Sequence, residues 1–467
     1  MEMKINLDAG SSLSLTEQIV GQIEALIRDG RLHAGEKLWS IRQLAAEQQI
    51  SRFPILEAYD RLVNRGLLYS RHGSGYYVAD SVDLERSIGG VNPDLAAPES
   101  NQVREQFASP DYTLNLSIGL IPEAWRDVDG ITQAIRQAMR KDSRSLIDYA
   151  TPQGDAGLRS QIQQRLRFFG LAVEPQSIML TDSASEALDL VVRLILKPGD
   201  TVFVEDPGYF NLFGLLKMQG IRLIGIRRLP TGPDIDVVED LLKENKPKVF
   251  FVNTALHNPT GSNVAPNVGF RLLQLAHEHD FMIVEDDVFA DFQSIPSARL
   301  AALDRLNRVI YVGGFSKSLS SSLRLGYLVA TADRINRLVD VKVLTRLGGT
   351  RFSERVTAAL LEHGAYRKHL DRLRRRVNGA LSTALGHLHD AGWEVLGEPC
   401  GGTLIWAKFP GIDNSEVMVN EAAKLGIALQ PGSYHRPNGE ATPWIRFNTA
   451  HLNDERAIRF LRAMKKG

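Results

Sequence analysis

The chain has 467 residues, 43% hydrophobic and 24% charged, an ordinary globular balance over more length than one domain usually takes. Its 55 Lys and Arg match its 55 Asp and Glu, which excludes a generally basic nucleic-acid coat. One cysteine, Cys400, excludes a disulfide framework, and no run approaches the eighteen apolar residues that a membrane span needs.

The opening segment MEMKINLDAG carries Glu2 and Asp8 and lacks the apolar core of a secretory signal, so a soluble cytoplasmic protein is expected. Leu15, Ile19, Ile23, Leu26 and Ile27 then recur at helical spacing until Gly30 stops the run. Ser40 is placed to cap a short helix, IRQLAAEQQ, and Ser51 is a second N-cap before the helix RFPILEAYDRLVNR. Pro54 is tolerable there, because its missing N–H falls in the first turn. Gly66 ends that helix, and LLYS and YYVA alternate as a hairpin around RHGSG. Three helices and a two-stranded wing over residues 1–79 make a winged helix-turn-helix pattern.

Ser51 and Arg52 open the second helix of that motif, where such readers meet base edges, and Arg42 reaches phosphate or base from the preceding helix. Arg71 and His72 lie on the wing, suited to backbone or minor-groove contacts. Residues 1–80 hold nine Lys and Arg against ten Asp and Glu, so the unit is not net basic. A protein-interaction module is therefore the alternative, but the placement of the arginines favours DNA.

Residues 80–111 lack a sustained apolar period and hold Pro, Gly, Ser and charges, which predicts a linker spanning roughly 30 Å on average. From 112 onward the candidate strands SIML, TVFVED, IRLIGI, VFFVN, FMIVEDD and VIYVGG alternate with amphipathic stretches. That order predicts an α/β unit with a mainly parallel sheet covered on both faces. After about residue 335, the helical segment AYRKHLDRLRRRVNGALSTALGHL and the short strands TLIWAKF and WIRFNT predict a smaller α+β part.

Several polar motifs fall at the ends of the predicted strands, where open α/β sheets place their ligands. TDSASEALDL opens a helix whose free N–H groups at Ser183, Ala184 and Ser185 can hold a phosphate. Tyr209 follows one strand, Asn258 precedes a rigid Pro259, and Asp286 ends a very apolar strand, where an unpaired carboxylate is costly. Lys317 sits with Ser316 in a turn rich in Ser and Gly, and Arg324 follows seven residues later. Each motif alone looks like a helix cap, a turn or a strand end; their order and spacing together carry the signal. No metal site is expected.

On YATPQGDAGLR, VEDPGYF, HNPTG, EDD, FSKSLSSSLRLG, PGSYH and WIRFN, the chain from about 112 to its end resembles the fold type I pyridoxal-phosphate aminotransferases. The resemblance implies that Lys317 joins the cofactor aldehyde through its amine. It implies that Asp286 pairs with the pyridine nitrogen, Asn258 donates to the ring oxygen and Tyr209 stacks on the ring. Arg324 would clamp the phosphate with Ser316 nearby, and Arg446 would receive an amino acid's α-carboxylate. Tyr149 would reach a partner's phosphate, implying a homodimer. Three positions depart from the pattern: Asp182-Ser183 where Ser-Gly is common, Val288 and Phe289 in place of a tyrosine, and Gly314 in place of a serine.

The first eighty residues resemble the winged helix of GntR-type regulators, with Trp39 and Pro54 where proline and threonine are usual. Joined in this order, the two parts resemble the MocR/GabR-type transcriptional regulators. That resemblance implies a domain-swapped dimer that binds double-stranded operator DNA and senses pyridoxal phosphate, or an amine or amino acid, at residues 112–467. The runner-up is a functional aminotransferase with an accessory DNA-binding domain.

Overall fold

The computed structural model describes residues 5–8, 11, 13–71, 73–79, 114–362 and 364–464. His72 and the expected linker lie outside the described residues. The chain divides into two compact units, Met1–Leu95 and Ala96–Gly467.

In the first unit, α1 (Leu15–Arg28) starts at a capping box in which Ser14 and Glu17 satisfy each other's backbone N–H groups. α2 (Ile41–Gln48) is capped by Ser40, which accepts from Gln43 N at 3.1 Å. α3 (Arg52–Asn64) corrects one expectation: Ser51 occupies the N-cap position but makes no capping hydrogen bond. A cap normally accepts from the second or third helical N–H. Here the third residue is Pro54, which has none.

The three helices bury Ile19, Ile23, Leu44, Ile55, Ala58, Tyr59 and Leu62 against Leu68 and Val78 of the wing. Each large aliphatic side chain so buried is worth about 1.5–3 kcal/mol. Trp39 packs beside this core and its carbonyl accepts from Tyr59 Oη at 3.0 Å, so the departure from proline is absorbed locally. The wing pairs β1 (Leu68–Arg71) with β2 (Gly75–Val78) antiparallel, Arg71 opposite Gly75.

The second unit is built on a sheet whose strands were largely visible as apolar runs: β4 (Ile178–Thr181), β5 (Thr201–Asp206), β6 (Arg222–Leu229), β8 (Val249–Val252), β9 (Met282–Asp286) and β10 (Val309–Gly314). Two more strands join it, β7 (Gly232–Pro233) and β11 (Gly326–Val329), in the order β4-β11-β10-β9-β8-β5-β6-β7. β11 lies antiparallel between β4 and β10, so the mainly parallel sheet carries one reversed interior strand. Alternate residues enter two separate cores. Ile283, Val309 and Tyr311 face one, and Val284, Ile310 and Val312 face the other. Helices cover both faces, which is why these strands read as continuous apolar runs.

A third core joins the long helix Ala365–Asp390 to the antiparallel sheet of β12 (Glu394–Val395), β13 (Leu404–Lys408) and β15 (Trp444–Asn448). β3 (Leu114–Asn115) pairs in parallel with β14 (Ile427–Ala428), so these two residues belong with the last hundred of the chain. The helices Ala332–Arg346 and Arg351–Glu362 instead pack on the two main cores through Ile335, Leu338, Val356 and Leu360. The smaller part therefore begins later than residue 335. Among the described residues no helix is long and apolar enough to cross a membrane.

Candidate functional site

The parallel strands β5, β8, β9 and β10 all point their C-terminal ends at one cavity of about 490 Å³. Register brings Asp286 level with Val312, so the ends of β9 and β10 deliver Asp286 and the Lys317 turn side by side. The cavity is lined by Lys317, Asp286, Asn258, Tyr209, Arg324, Ser183, Ala184, Ser185, Ser316 and Arg446. Among the residues singled out for this site only Tyr149 lies elsewhere: it is 77% exposed and does not line the cavity.

Ser183 caps the helix Ala184–Ile195, accepting from Glu186 N at 3.1 Å, and the first-turn N–H groups lack helical partners. A Cβ on Gly326 would stand 2.5 Å from the Ser183 carbonyl carbon and 2.6 Å from Ala184 N, so glycine lets β11 seat this helix end. Asp182 turns away from the cavity. Its Oδ1 accepts from Thr350 N at 3.1 Å and from the Thr350 hydroxyl at 3.4 Å. Arg324 lines the cavity from a left-handed backbone, φ 48°, which is uncommon for a residue with a side chain.

Arg446 rises from β15 and is 4% exposed. It donates to Asn258 Oδ1 at 2.8 Å, to the Ser117 carbonyl and to Gln430 Oε1 at 3.3 Å, while its Nε finds no acceptor. No described carboxylate pairs with it, and burial pulls its guanidinium down to about 10. A buried cation without a counter-ion is expensive. Because Asn258 Oδ1 faces Arg446, its amide nitrogen is the group left to donate elsewhere.

Lys317 lies under the same influence: burial, reinforced by Arg446, brings its amine down to about 8, with Asp286 pulling the other way. Its Nζ stands 5.6 Å from the centre of the Phe289 ring, at the place where the tyrosine was expected to be missing. Burial pushes Asp286 up to about 7, partly offset by the Val288 N–H, which donates to Oδ1 at 3.3 Å.

Two buried polar networks support these groups and were not anticipated. On the cavity wall, Glu205 accepts from Arg228 and from Asn253 N at 2.7 Å. Asn253 in turn holds the Asn258 N–H at 2.7 Å and the Asp286 carbonyl at 2.5 Å. Burial opposes ionisation of Glu205, yet Arg228 and His257 hold it at about 2. The signal was present in the polar residues, Glu205 and Asn253, that end apolar strands. Behind the lysine, Ser318 Oγ donates to Asp291 Oδ2 at 2.5 Å and meets Tyr366 Oη at 2.9 Å. Tyr366 bonds the same carboxylate oxygen at 2.7 Å, and His369 Nε2 meets the Ser318 carbonyl at 2.9 Å. Arg165 pairs with the other oxygen of Asp291. The Lys317 turn is thus tied to the long helix Ala365–Asp390.

In the first unit Arg42, Ser51, Arg52 and Arg71 are all exposed. Arg71 lies over two wing tyrosines, 5.3 Å from the Tyr69 ring centre and 4.9 Å from that of Tyr77, and donates to Tyr69 Oη at 3.0 Å. Those contacts preorganise its charge at the wing tip.

Residues 112–464 match the family described as aminotransferase class I and II, and residues 15–78 match the gntR family of bacterial regulatory proteins. The chain is 27% identical to the uncharacterized HTH-type transcriptional regulator YdfD of Bacillus subtilis, over 94% of this chain and 93% of that one. It is 28% identical to the probable rhizopine catabolism regulatory protein MocR of Rhizobium meliloti, over 92% and 90%. Its fold is shared with a Pyrococcus horikoshii kynurenine aminotransferase solved with PMP, with a TM-score of 0.75 and 27% identity over 82% of this chain and 98% of that one. A cavity that gathers Lys317, Asp286, Asn258 and Arg446 at strand ends, and matches over three quarters of the length, place the chain in the aminotransferase class I and II family, joined to a gntR-type winged helix.

Proposed function

We propose that the protein is a cytoplasmic, pyridoxal-phosphate-dependent transcriptional regulator, in which residues 1–79 read operator DNA and residues 112–467 sense an amine or amino acid. The observation that carries this reading is Arg446, a buried cation that faces Lys317 across one cavity without a carboxylate partner among the described residues. The relatives named as regulators extend over both units, which supports the reading.

The residues fit pyridoxal phosphate. Asp286 is a carboxylate that burial raises toward neutrality, and a protonated ring nitrogen would supply a counter-charge beside it. The helix end at Ser183, Ala184 and Ser185, with Ser316 and Arg324, would hold the phosphate, and the Asn258 amide nitrogen would donate to the ring oxygen. When bound, the cofactor supplies an aldehyde that takes up primary amines and a ring that withdraws electrons.

The chain's own contribution begins with the Lys317 amine. Held at about 8, it keeps a usable neutral, nucleophilic fraction at physiological pH. Arg446 presents its planar fork to the α-carboxylate of an incoming amino acid, whose amine then competes with that of Lys317. Arg446 stands on β15, whose Ile445 and Phe447 enter the third core, and Lys317 follows β10 of the main sheet, so one ligand would bridge two separately packed parts. The Ser318–Asp291–Tyr366 network passes any shift of the lysine turn to the long helix. Tyr149 enters this account through a homodimer, domain-swapped in arrangement. Its neighbours Leu146 and Ile147 are also exposed, as an apolar contact surface would be.

A functional aminotransferase with an accessory DNA reader is the second reading, favoured by the retention of Lys317, Asp286, Asn258, Arg324 and Arg446 in one cavity. Amino acids added singly to cofactor-loaded protein, with a keto acid present, separate the two. The sensor gives one stoichiometric spectral change and no accumulating product; many rapid turnovers would establish the enzyme instead.

The raised Asp286 predicts a pH effect on the cofactor-free protein. A carboxyl whose folded value, about 7, exceeds its unfolded value near 4 contributes stability that is fully present below about pH 4 and lost as pH rises through 7. The melting temperature should therefore fall between pH 5 and 8.5, and less steeply in Asp286→Asn. Glu285 and Glu354, raised to about 7 chiefly by burial, leave a residual slope. Parallel curves for the two proteins would remove Asp286 from the account.

A further inference from the structure

The DNA-facing helix carries an apolar feature that its arginines do not explain. α3 buries Ile55, Ala58, Tyr59 and Leu62 on one side. At helical spacing Phe53 and Leu56 fall on the far side, three residues apart and therefore adjacent on the surface. Phe53 is 71% exposed and Leu56 41% exposed. The stripe is short, because the next residue along it is Asp60, exposed and accepting from Tyr76 Oη at 3.4 Å. It is therefore confined to the N-terminal half of the helix, beside Arg52, which is the part that such helices lay against base edges.

Two side chains offer far less than the roughly 1,200 Å² that a stable protein interface buries. They do suit a small apolar group among polar ones. The major-groove edge of DNA carries one such group, the C5-methyl of thymine. Exposed arginines at positions 42, 52 and 71 supply the positive charge that brings phosphates near, and Ser51 spends no hydrogen bond on capping.

We propose that Phe53, with Leu56 beside it, packs against a thymine methyl group in the major groove and is the side chain that fixes thymine at that position of each half-site. The proposal rests on the reading of residues 1–79 as a DNA reader.

The test uses full-length, cofactor-loaded protein and a duplex enriched by it from a random-sequence pool. Each thymine of a half-site is replaced in turn by 2′-deoxyuridine, which removes only the methyl group, and affinity is followed by fluorescence anisotropy. One or two replacements should weaken wild-type binding by about fourfold each, the worth of one buried methyl group. Phe53→Ala should bind the parent duplex severalfold more weakly and bind the thymine and uracil forms of that position equally. Phe53→Leu should restore part of the discrimination. A wild type indifferent to every uracil, or a Phe53→Ala protein that keeps the full discrimination, overturns the proposal while leaving DNA binding intact. A pool in which no sequence is enriched overturns the DNA reading and the proposal with it.

Discussion

Lys317→Ala should replace the absorbance band of the lysine-joined cofactor by the spectrum of the free aldehyde and, with it, abolish any response of DNA binding to amines. Lys317 is the lysine lining the cavity, and burial with help from Arg446 has brought its amine to about 8, where it can act as a nucleophile. Alanine leaves Ser183, Ala184, Ser185, Asp286 and Asn258 in place around the cavity, so cofactor should still bind without being joined to the chain. The expected signature is a dissociable cofactor whose spectrum is that of the free aldehyde. The folded protein should be little disturbed, because the Ser318 side of the turn is anchored independently by Asp291, Tyr366 and His369. The wild-type band unchanged in Lys317→Ala would show that another amine carries the cofactor.

Arg446→Ala should leave that band intact and remove the amino-acid response. A buried guanidinium that binds a carboxylate through two charged hydrogen bonds is worth about 3–5 kcal/mol when truncated, which is a loss of roughly a hundredfold to several thousandfold in affinity. The cost to folding should be modest, because the side chain is a desolvated cation with an unsatisfied Nε and no described ionic partner. Arg446→Lys should recover only part of the affinity, since an ammonium keeps the charge and loses the fork. Spectral titration with a panel of amino acids, and with the matching amines that lack a carboxylate, reads this directly. If both variants respond to amino acids like the wild type, the effector is an amine without a carboxylate, or the cofactor itself is the signal.

The sequence was most informative where a residue's surroundings follow from local pattern. Strands buried on both faces announce themselves as apolar runs, so β5, β8, β9 and β10 and the polar residues at their ends could be placed before the structure was seen. β11 was not separated from the lysine turn that precedes it, because four apolar residues after a Ser-rich stretch carry no sign of running antiparallel. β3 is two residues long, and only its pairing with β14, more than three hundred residues later, assigns it to the smaller core. Ser51 shows how one neighbour cancels a local rule: Pro54 removes the N–H that a cap would take. The direction of Asp182 depends on Thr350, and the support of Lys317 depends on Asp291, Tyr366 and His369, partners that adjacency along the chain does not show. Tyr149 is exposed and away from the cavity, a placement that its position in the sequence motif does not reveal.

Occupancy of the Lys317 cavity should change the affinity of the whole chain for DNA. Full-length, cofactor-loaded protein and a duplex enriched by it from random sequence allow that affinity to be measured with and without the amino acid that gives the largest spectral change. A ligand can shift the equilibrium only by its difference in affinity for the two states, commonly 1–3 kcal/mol of coupling. The expected change is about fivefold to 150-fold in DNA affinity, absent in Lys317→Ala. Equal affinity with the cavity empty of amino acid and saturated by it would show that the cavity does not govern DNA binding.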